Sequence, residues 1–214
     1  MILYDYWRSS SAWRVRIALH FKGIPFERRV VNLIKDGGEQ HGDAFRALNP
    51  SRQVPVLIPD GSGRAITQSM AIIAFLEEQF PAPPLLPADP WLRARARQLT
   101  EMVNAGIQPY QNLAGLERLK ALGVDANAWA QEFNVRGLAA LEAACQETQG
   151  MFLVGDAPSL ADVYLIPQLY TARRWSVDLT PYATLLRVEA TCAALPAFAA
   201  AHADAQTDAV RPKT

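Results

Sequence analysis

Two cysteines and three histidines are all the chain offers toward disulfide frameworks or metal centres in 214 residues. Cys145 and Cys192 are too few for a stapled scaffold or a zinc site. His20, His41 and His202 are scattered, with no metal-ligand spacing, so no metal is expected. An excess of either charge is also missing: Lys+Arg 21 equals Asp+Glu 21, and the pI is about 6.8. That excludes a nucleic-acid partner gripped through bulk positive charge. No apolar run reaches the ~18 residues of a membrane span, and the opening Met1–Arg8 carries Asp5 and Arg8 with no apolar signal region. The expectation is a cytoplasmic protein with no membrane partner. With 50% hydrophobic and 20% charged residues, the chain excludes disorder and supplies a core.

Pattern and charge change near residue 80. Residues 1–80 hold ten basic and eight acidic side chains, a net of +2, which leaves −2 for 81–214. Between them Phe80-Pro-Ala-Pro-Pro-Leu-Leu-Pro-Ala-Asp-Pro90 forbids regular helix and favours an extended linker, read as 81–90. Before it, strands alternate with helices. Ile2–Tyr6 reads as a strand. Ala12–Phe21 reads as a helix that stops at Gly23 with Pro25 beyond. Phe26–Leu33 reads as a second strand. Val54–Ile58 and Arg64–Thr67 flank the turn Pro59-Asp-Gly-Ser-Gly63, and Ser69–Gln79 carries a helical apolar stripe through Ile72, Ile73 and Leu76. After the linker every segment reads as helix: Trp91–Lys120 with a kink at Gly106-Ile-Gln-Pro109, then Ala126–Gln149, Leu160–Arg173 and Thr184–Ala203. The reading is an α/β domain over 1–80 and an all-α domain over 91–214.

The chemistry concentrates in Trp7-Arg-Ser-Ser-Ser-Ala-Trp-Arg-Val-Arg16. Ser9, Ser10 and Ser11 lie between a strand and a helix start, where backbone N–H groups are unpaired and a partial positive charge gathers. Serines there cap the helix, or with it hold an anion such as a thiolate, whose free pKa is about 8.5. Residue type alone leaves both readings open. Val54-Pro55 is open between a trans bond and a cis one that turns the Val54 backbone toward an extended peptide ligand. Gln68-Ser69 opens the next helix, so Ser69 caps it, holds a carboxylate with the first amides, or does both. Ser159-Leu-Ala-Asp162 reads as a capping box that starts a buried helix, a structural feature only.

Taken together, Ser-Ser-x-x-Trp-Arg-Val-Arg-Ile-Ala-Leu, Ala-Leu-Asn-Pro, Val-Pro, Gln-Ser, Gly-Ile-Gln-Pro and Val-Asp-Leu-Thr-Pro-Tyr resemble the zeta class of glutathione transferases, from Ile2 to about Asp208. Its best-known members isomerise maleylacetoacetate in tyrosine and phenylalanine breakdown. The resemblance implies a thioredoxin-like N-terminal domain, an all-α C-terminal domain, glutathione as cofactor in the cleft between them, and a homodimer. It makes Ser9 the support of the glutathione thiolate, with Ser10 beside it. It makes Ser10, Ser11, Ala12, Trp13 and Arg14 the lining of the same turn, and Gln40 a contact for the glycine end of glutathione. Val54, with Pro55 cis, then meets the cysteinyl part, and Gln68 and Ser69 hold the γ-glutamyl carboxylate. Gln108, Asn112, Leu113 and Ala114 lie near the ligand, and Arg174 steers a substrate carboxylate. Ser11 departs from the class, which usually has cysteine there; no thiol at that place is essential to this chain, and a dehalogenating role is weakened.

The class reaction suits these residue types. A double bond turns only after a nucleophile has added to it, and a borrowed thiolate is such a nucleophile. Arg8 and Arg174 are the candidates for binding a dicarboxylate, since guanidinium meets carboxylate with paired donors; a solvated surface charge is the plain alternative for each. Maleylpyruvate isomerisation is the nearest rival activity; the resemblance disfavours it, because that branch tends to carry basic residues where this chain has Leu113-Ala114. Transfer of glutathione to electrophiles such as haloacids, and a non-catalytic glutathione-binding module, complete the alternatives.

Overall fold

The computed structural model describes residues 1–61 and 63–210, which form two compact units. The first is Met1–Pro84 together with the residues from Leu195 onward; the second is Leu85–Ala194.

In the first unit, β1 (Ile2–Asp5), α1 (Ser10–Phe21) and β2 (Glu27–Val30) are followed by two 3₁₀ turns and α2 (Asp43–Leu48), then β3 (Val56–Ile58), β4 (Ile66–Thr67) and α3 (Ser69–Gln79). The expected β-α-β, irregular stretch, β-β-α order is present. Gly23 adopts φ +63 and lets Ile24 N–H donate back to Leu19 C=O, which stops α1 where the sequence predicts. Ser62 of the expected hairpin turn lies outside the described residues. The four strands lie in the order β2-β1-β3-β4, with β1 parallel to β2 and antiparallel to β3.

Register decides what shares an edge of this sheet. Tyr4 pairs with Val56 and Val56 with Thr67, while Asp5 pairs with Val30. The C-terminal ends of β1, β2 and β4 and the start of β3 therefore lie along one edge. From that edge leave the turn Tyr6–Ser9, the segment carrying Gln40, and Gln68-Ser69, and there Val54-Pro55 enters. The carboxyl ends of strands are where open α/β layers gather ligands.

Three expectations need correction. The long helix over Trp91–Lys120 is not kinked but broken: α4 (Pro90–Asn104), a 3₁₀ turn (Gln108–Gln111) and α5 (Leu113–Ala121) replace it. At Gly106 a Cβ would stand 2.5 Å from the Met102 carbonyl oxygen, and Pro109 has no N–H to continue the ladder. The helix over Thr184–Ala203 is two, α8 (Ala183–Ala193) and α9 (Pro196–Ala201), because the Pro196 ring excludes a regular turn before it. The third correction concerns the domain expected over 91–214: its last part packs with the first unit. There α9 covers α1, Arg16 Nε donates to Ala201 C=O at 3.0 Å, and Trp13 meets His202 edge-on at 4.8 Å.

The second unit adds α6 (Ala126–Cys145) and α7 (Leu160–Arg174) to α4, α5 and α8. Helix α7 is buried along nearly its whole length, from Leu160 to Ala172. Its first turn is the predicted box: Asp162 accepts from Ser159 N–H (2.7 Å), Ser159 Oγ–H (2.8 Å) and Leu153 N–H (2.9 Å). Gly137 of α6 is a glycine because any Cβ there would collide with the Ile107 side chain.

Candidate functional site

Ser9 is the N-cap of α1, in extended conformation (φ −67°, ψ 115°). Its Oγ accepts from Ala12 N–H at 3.3 Å, longer than the ~2.9–3.0 Å usual for such a bond. Ser9 is partly buried at the helix start, and since its Oγ accepts in this bond its O–H can donate to a second partner. Neither Ser10 nor Ser11 side chain hydrogen-bonds to a described residue, and no acidic residue occupies the first turn. Uncompensated N–H groups and three hydroxyls at a helix start favour a bound anion.

Helix α3 offers a similar end. Gln68 fills its N-cap position without bonding to the helix amides, and again the first turn has no acidic residue. Gln68 is held at φ +69°, ψ 119°, a conformation costing a non-glycine residue about 1–3 kcal/mol. The exposed Gln68 side chain marks the place where the chain leaves β4. Arg14 is buried and ties the two helices together, its Nη1 donating to Ser69 Oγ at 3.4 Å.

Val54-Pro55 is cis. Gln40 is buried under Gly38, whose missing Cβ leaves room for the amide. Its Nε2 donates to Leu33 C=O at 3.3 Å, and its Oε1 has no partner among the described residues. Arg8 lies 5.3 Å over the Trp7 ring and forms no ion pair among the described residues.

In the second unit, Gln108 starts the 3₁₀ turn and Asn112 occupies the N-cap position of α5 with its side chain uncommitted to that helix. Leu113 and Ala114 are exposed. Arg174 closes α7 with its guanidinium 5.9 Å from the Trp175 ring, while neighbouring Arg173 is paired with Glu189. Gln111, from the same 3₁₀ turn, joins a closed ring of buried amides. Asn134 donates to Gln111 (2.7 Å), Gln111 to Gln168 (2.9 Å) and Gln168 to Asn134 (2.6 Å). Sequence reading missed this ring, since its members are separated by 23 to 57 residues. A hollow of about 260 Å³ beside Tyr110, Phe133 and Arg136 contains none of the expected site residues.

The chain's two thiols, Cys145 and Cys192, are free and buried. Burial pushes the Cys145 pKa up to about 11 and raises that of Cys192 as well. Among the described residues no cluster of His, Cys, Asp and Glu could hold a metal ion, and no helix is long and apolar enough to cross a membrane.

Comparison with known proteins accords with this geometry. Residues 8–79 match the glutathione S-transferase N-terminal domain, and 135–203 match the C-terminal domain. The maleylacetoacetate isomerase of Mus musculus is 47% identical over 208 residues, covering 97% of this chain and 94% of that one. The holo structure of a maleylpyruvate isomerase, a bacterial zeta-class glutathione S-transferase, superposes with TM-score 0.92 at 45% identity, covering 98% and 100%. The maleylacetoacetate isomerase of Anaeromyxobacter dehalogenans was solved with glutathione in its active site (TM-score 0.89, 53% identity, 98% and 97% covered). It was also solved with dicarboxyethyl glutathione and citrate there (0.88, 51%, 99% and 94%). The chain belongs to the glutathione S-transferase family. Within that family it has the zeta-class pattern, and relatives of that pattern span its full length.

Proposed function

We propose that the protein is a glutathione-dependent cis–trans isomerase of a maleyl dicarboxylate, with maleylacetoacetate as substrate. One observation carries the reading: Ser9 caps α1 at the sheet edge shared by Val54-Pro55 and the strained, uncapped start of α3. These residues fit glutathione, an extended peptide with an anion at each end and a thiol between. Ser69 and the first turn of α3 take the γ-glutamyl carboxylate, the Val54 backbone meets the middle of the peptide, and Gln40 its glycine end. Gln108 and Asn112 to Ala114 complete the ligand's surroundings.

Bound glutathione supplies the thiolate that adds to the double bond and leaves again after rotation. Ser9 donates its Oγ–H to the sulfur and, with the α1 amides, keeps it ionised at neutral pH. Arg8 and Arg174 hold the substrate carboxylates and favour the negative charge that develops on the conjugated carbonyl. Ser11, in place of the usual cysteine, takes no part in the chemistry.

Isomerisation of maleylacetoacetate and maleylpyruvate, each with and without glutathione, tests the reading. Activity on maleylacetoacetate that vanishes without glutathione supports it. Faster turnover of maleylpyruvate would move the chain to the rival activity, and no thiolate absorbance from bound glutathione would make it a binding module. Ser9→Ala is expected to lower turnover roughly 10²-fold; near-normal turnover removes Ser9 from the mechanism. Arg174→Ala is expected to raise KM for the dicarboxylate and leave an uncharged thiol acceptor unaffected, whereas equal loss on both makes the residue structural. A cytoplasmic homodimer completes the proposal by family resemblance, and sedimentation at 23.6 kDa would remove the dimer.

A further inference from the structure

The turn that presents Ser9 is held by residues from the far end of the chain. Asp208, 201 residues along, accepts the Trp7 N–H on Oδ2 at 3.2 Å. Arg16 takes the other side of the same residue, its Nη2 donating to Trp7 C=O at 2.9 Å. Ser9 N–H is in turn bonded to Tyr6 C=O at 2.9 Å, so the Trp7 peptide groups lie inside the loop that aims Ser9. Both side chains belong to an alternating chain of charges. Arg16 pairs with Asp5 at 2.7 and 2.8 Å, Asp5 with Arg28, and Arg28 with Asp208 at 2.7 Å. The Asp5 and Arg16 side chains are fully buried, and those of Arg28 and Asp208 are 14% and 16% exposed. Water competes little for such pairs, and a fixed carboxylate at one end constrains what the other end grips.

We propose that Asp208 is a positioning residue for Ser9: the segment after α9 clamps the Trp7 peptide, and this fixes Ser9 Oγ and the first turn of α1 against the thiolate. The proposal rests on the reading of Ser9 as the support of the sulfur. The clamp is mechanical. Without the Asp208 carboxylate the Trp7 N–H loses its acceptor and Arg28 loses one of two anions. Of the two side-chain bonds to the Trp7 peptide only the one from Arg16 then remains, and a sub-ångström drift of Ser9 weakens its bond to the sulfur.

The test follows the ultraviolet absorbance of bound glutathione against pH in the wild-type protein, Asp208→Ala, Asp208→Asn and Ser9→Ala, with circular dichroism to establish folding. Asp208→Ala is expected to raise the pKa of the bound thiol and to cut turnover at neutral pH roughly tenfold, with recovery at higher pH. Affinity for S-methylglutathione, which has no thiol to ionise, should change less than about twofold, a split that general destabilisation would not produce. Asp208→Asn keeps an acceptor for Trp7 N–H and should lie between the two; it carries the test if the alanine variant does not fold. An unchanged thiol pKa in a folded Asp208 variant, with a raised one in Ser9→Ala, overturns the clamp alone. An unchanged pKa in Ser9→Ala overturns the clamp together with the reading beneath it.

Discussion

In the first unit four charged side chains secure the turn that leads into α1; in the second, three neutral amides secure the 3₁₀ turn that carries Gln108. Arg16 has five donors in a rigid fork, and it uses them on a carboxylate and on the carbonyls of Trp7 and Ala201. It grips irregular backbone directly. The amide ring reaches its 3₁₀ turn only through the Gln111 side chain, with each member giving one N–H and taking one. On the proposed function, held backbone suits a serine that meets sulfur at one distance, and a tether through one side chain suits a segment proposed to lie near the substrate. Charge also raises the stakes, because a buried ion without its partner costs more than a buried amide without its own.

The comparison breaks first at Arg16. Arg16→Met strands the buried Asp5 carboxylate on one side and is expected to cost about 3–5 kcal/mol in urea denaturation. A loss under 1 kcal/mol would mean that the charged network is no stronger than the amide one.

Asp162 sharpens the contrast, as a buried carboxylate of the second unit with only neutral donors around it. Burial lifts its pKa from 3.8 to about 6 despite bonds from Leu153 and Ser159 that favour the ionised form. A folded-state pKa above the unfolded one stabilises the protein at pH below about 4, and this contribution is lost as pH rises through 6. From pH 4 to pH 7 the wild type should therefore lose about 2 kcal/mol relative to Asp162→Asn. A pH-independent difference would show that the folded protein holds this carboxylate ionised as readily as the unfolded chain does.

The smallest effect belongs to the ring. Gln168→Leu leaves Gln111 without an acceptor and Asn134 without a donor, at about 1–3 kcal/mol. Replacing Gln111, Asn134 and Gln168 together by leucine should restore part of that stability, since no amide is then left unmatched. If the triple variant is the least stable, the amides are bound more tightly than neutral groups should be.

Much of this was legible in local pattern. The helix over Ser69–Gln79, the stop at Gly23 and the Ser159–Asp162 box each depend on residues within a turn of one another. So does the Ser9 cap, and the Ser-Ser-x-x-Trp-Arg run made the family legible by resemblance. The break at Gly106 was visible only as a kink, because the close approach of Gly106 to the Met102 carbonyl, which only a glycine allows, is a matter of backbone path. The return of α9 onto α1 was not legible at all. Its alanine-rich sequence names no partner, and the bonds that pin this end of the chain involve Arg16 and Trp7, nearly the whole chain away. The burial of Arg14 and Arg16 within α1 was not legible either, since nothing in the local pattern names the groups that surround them.

Because α9 belongs to the first unit, that unit is interrupted by Leu85–Ala194. On the ribosome the interposed helices are complete before Arg16 can meet Ala201 or Trp7 can meet Asp208. The serine turn is completed only after Asp208 has been made, so a chain interrupted before that residue carries the motif without its grip.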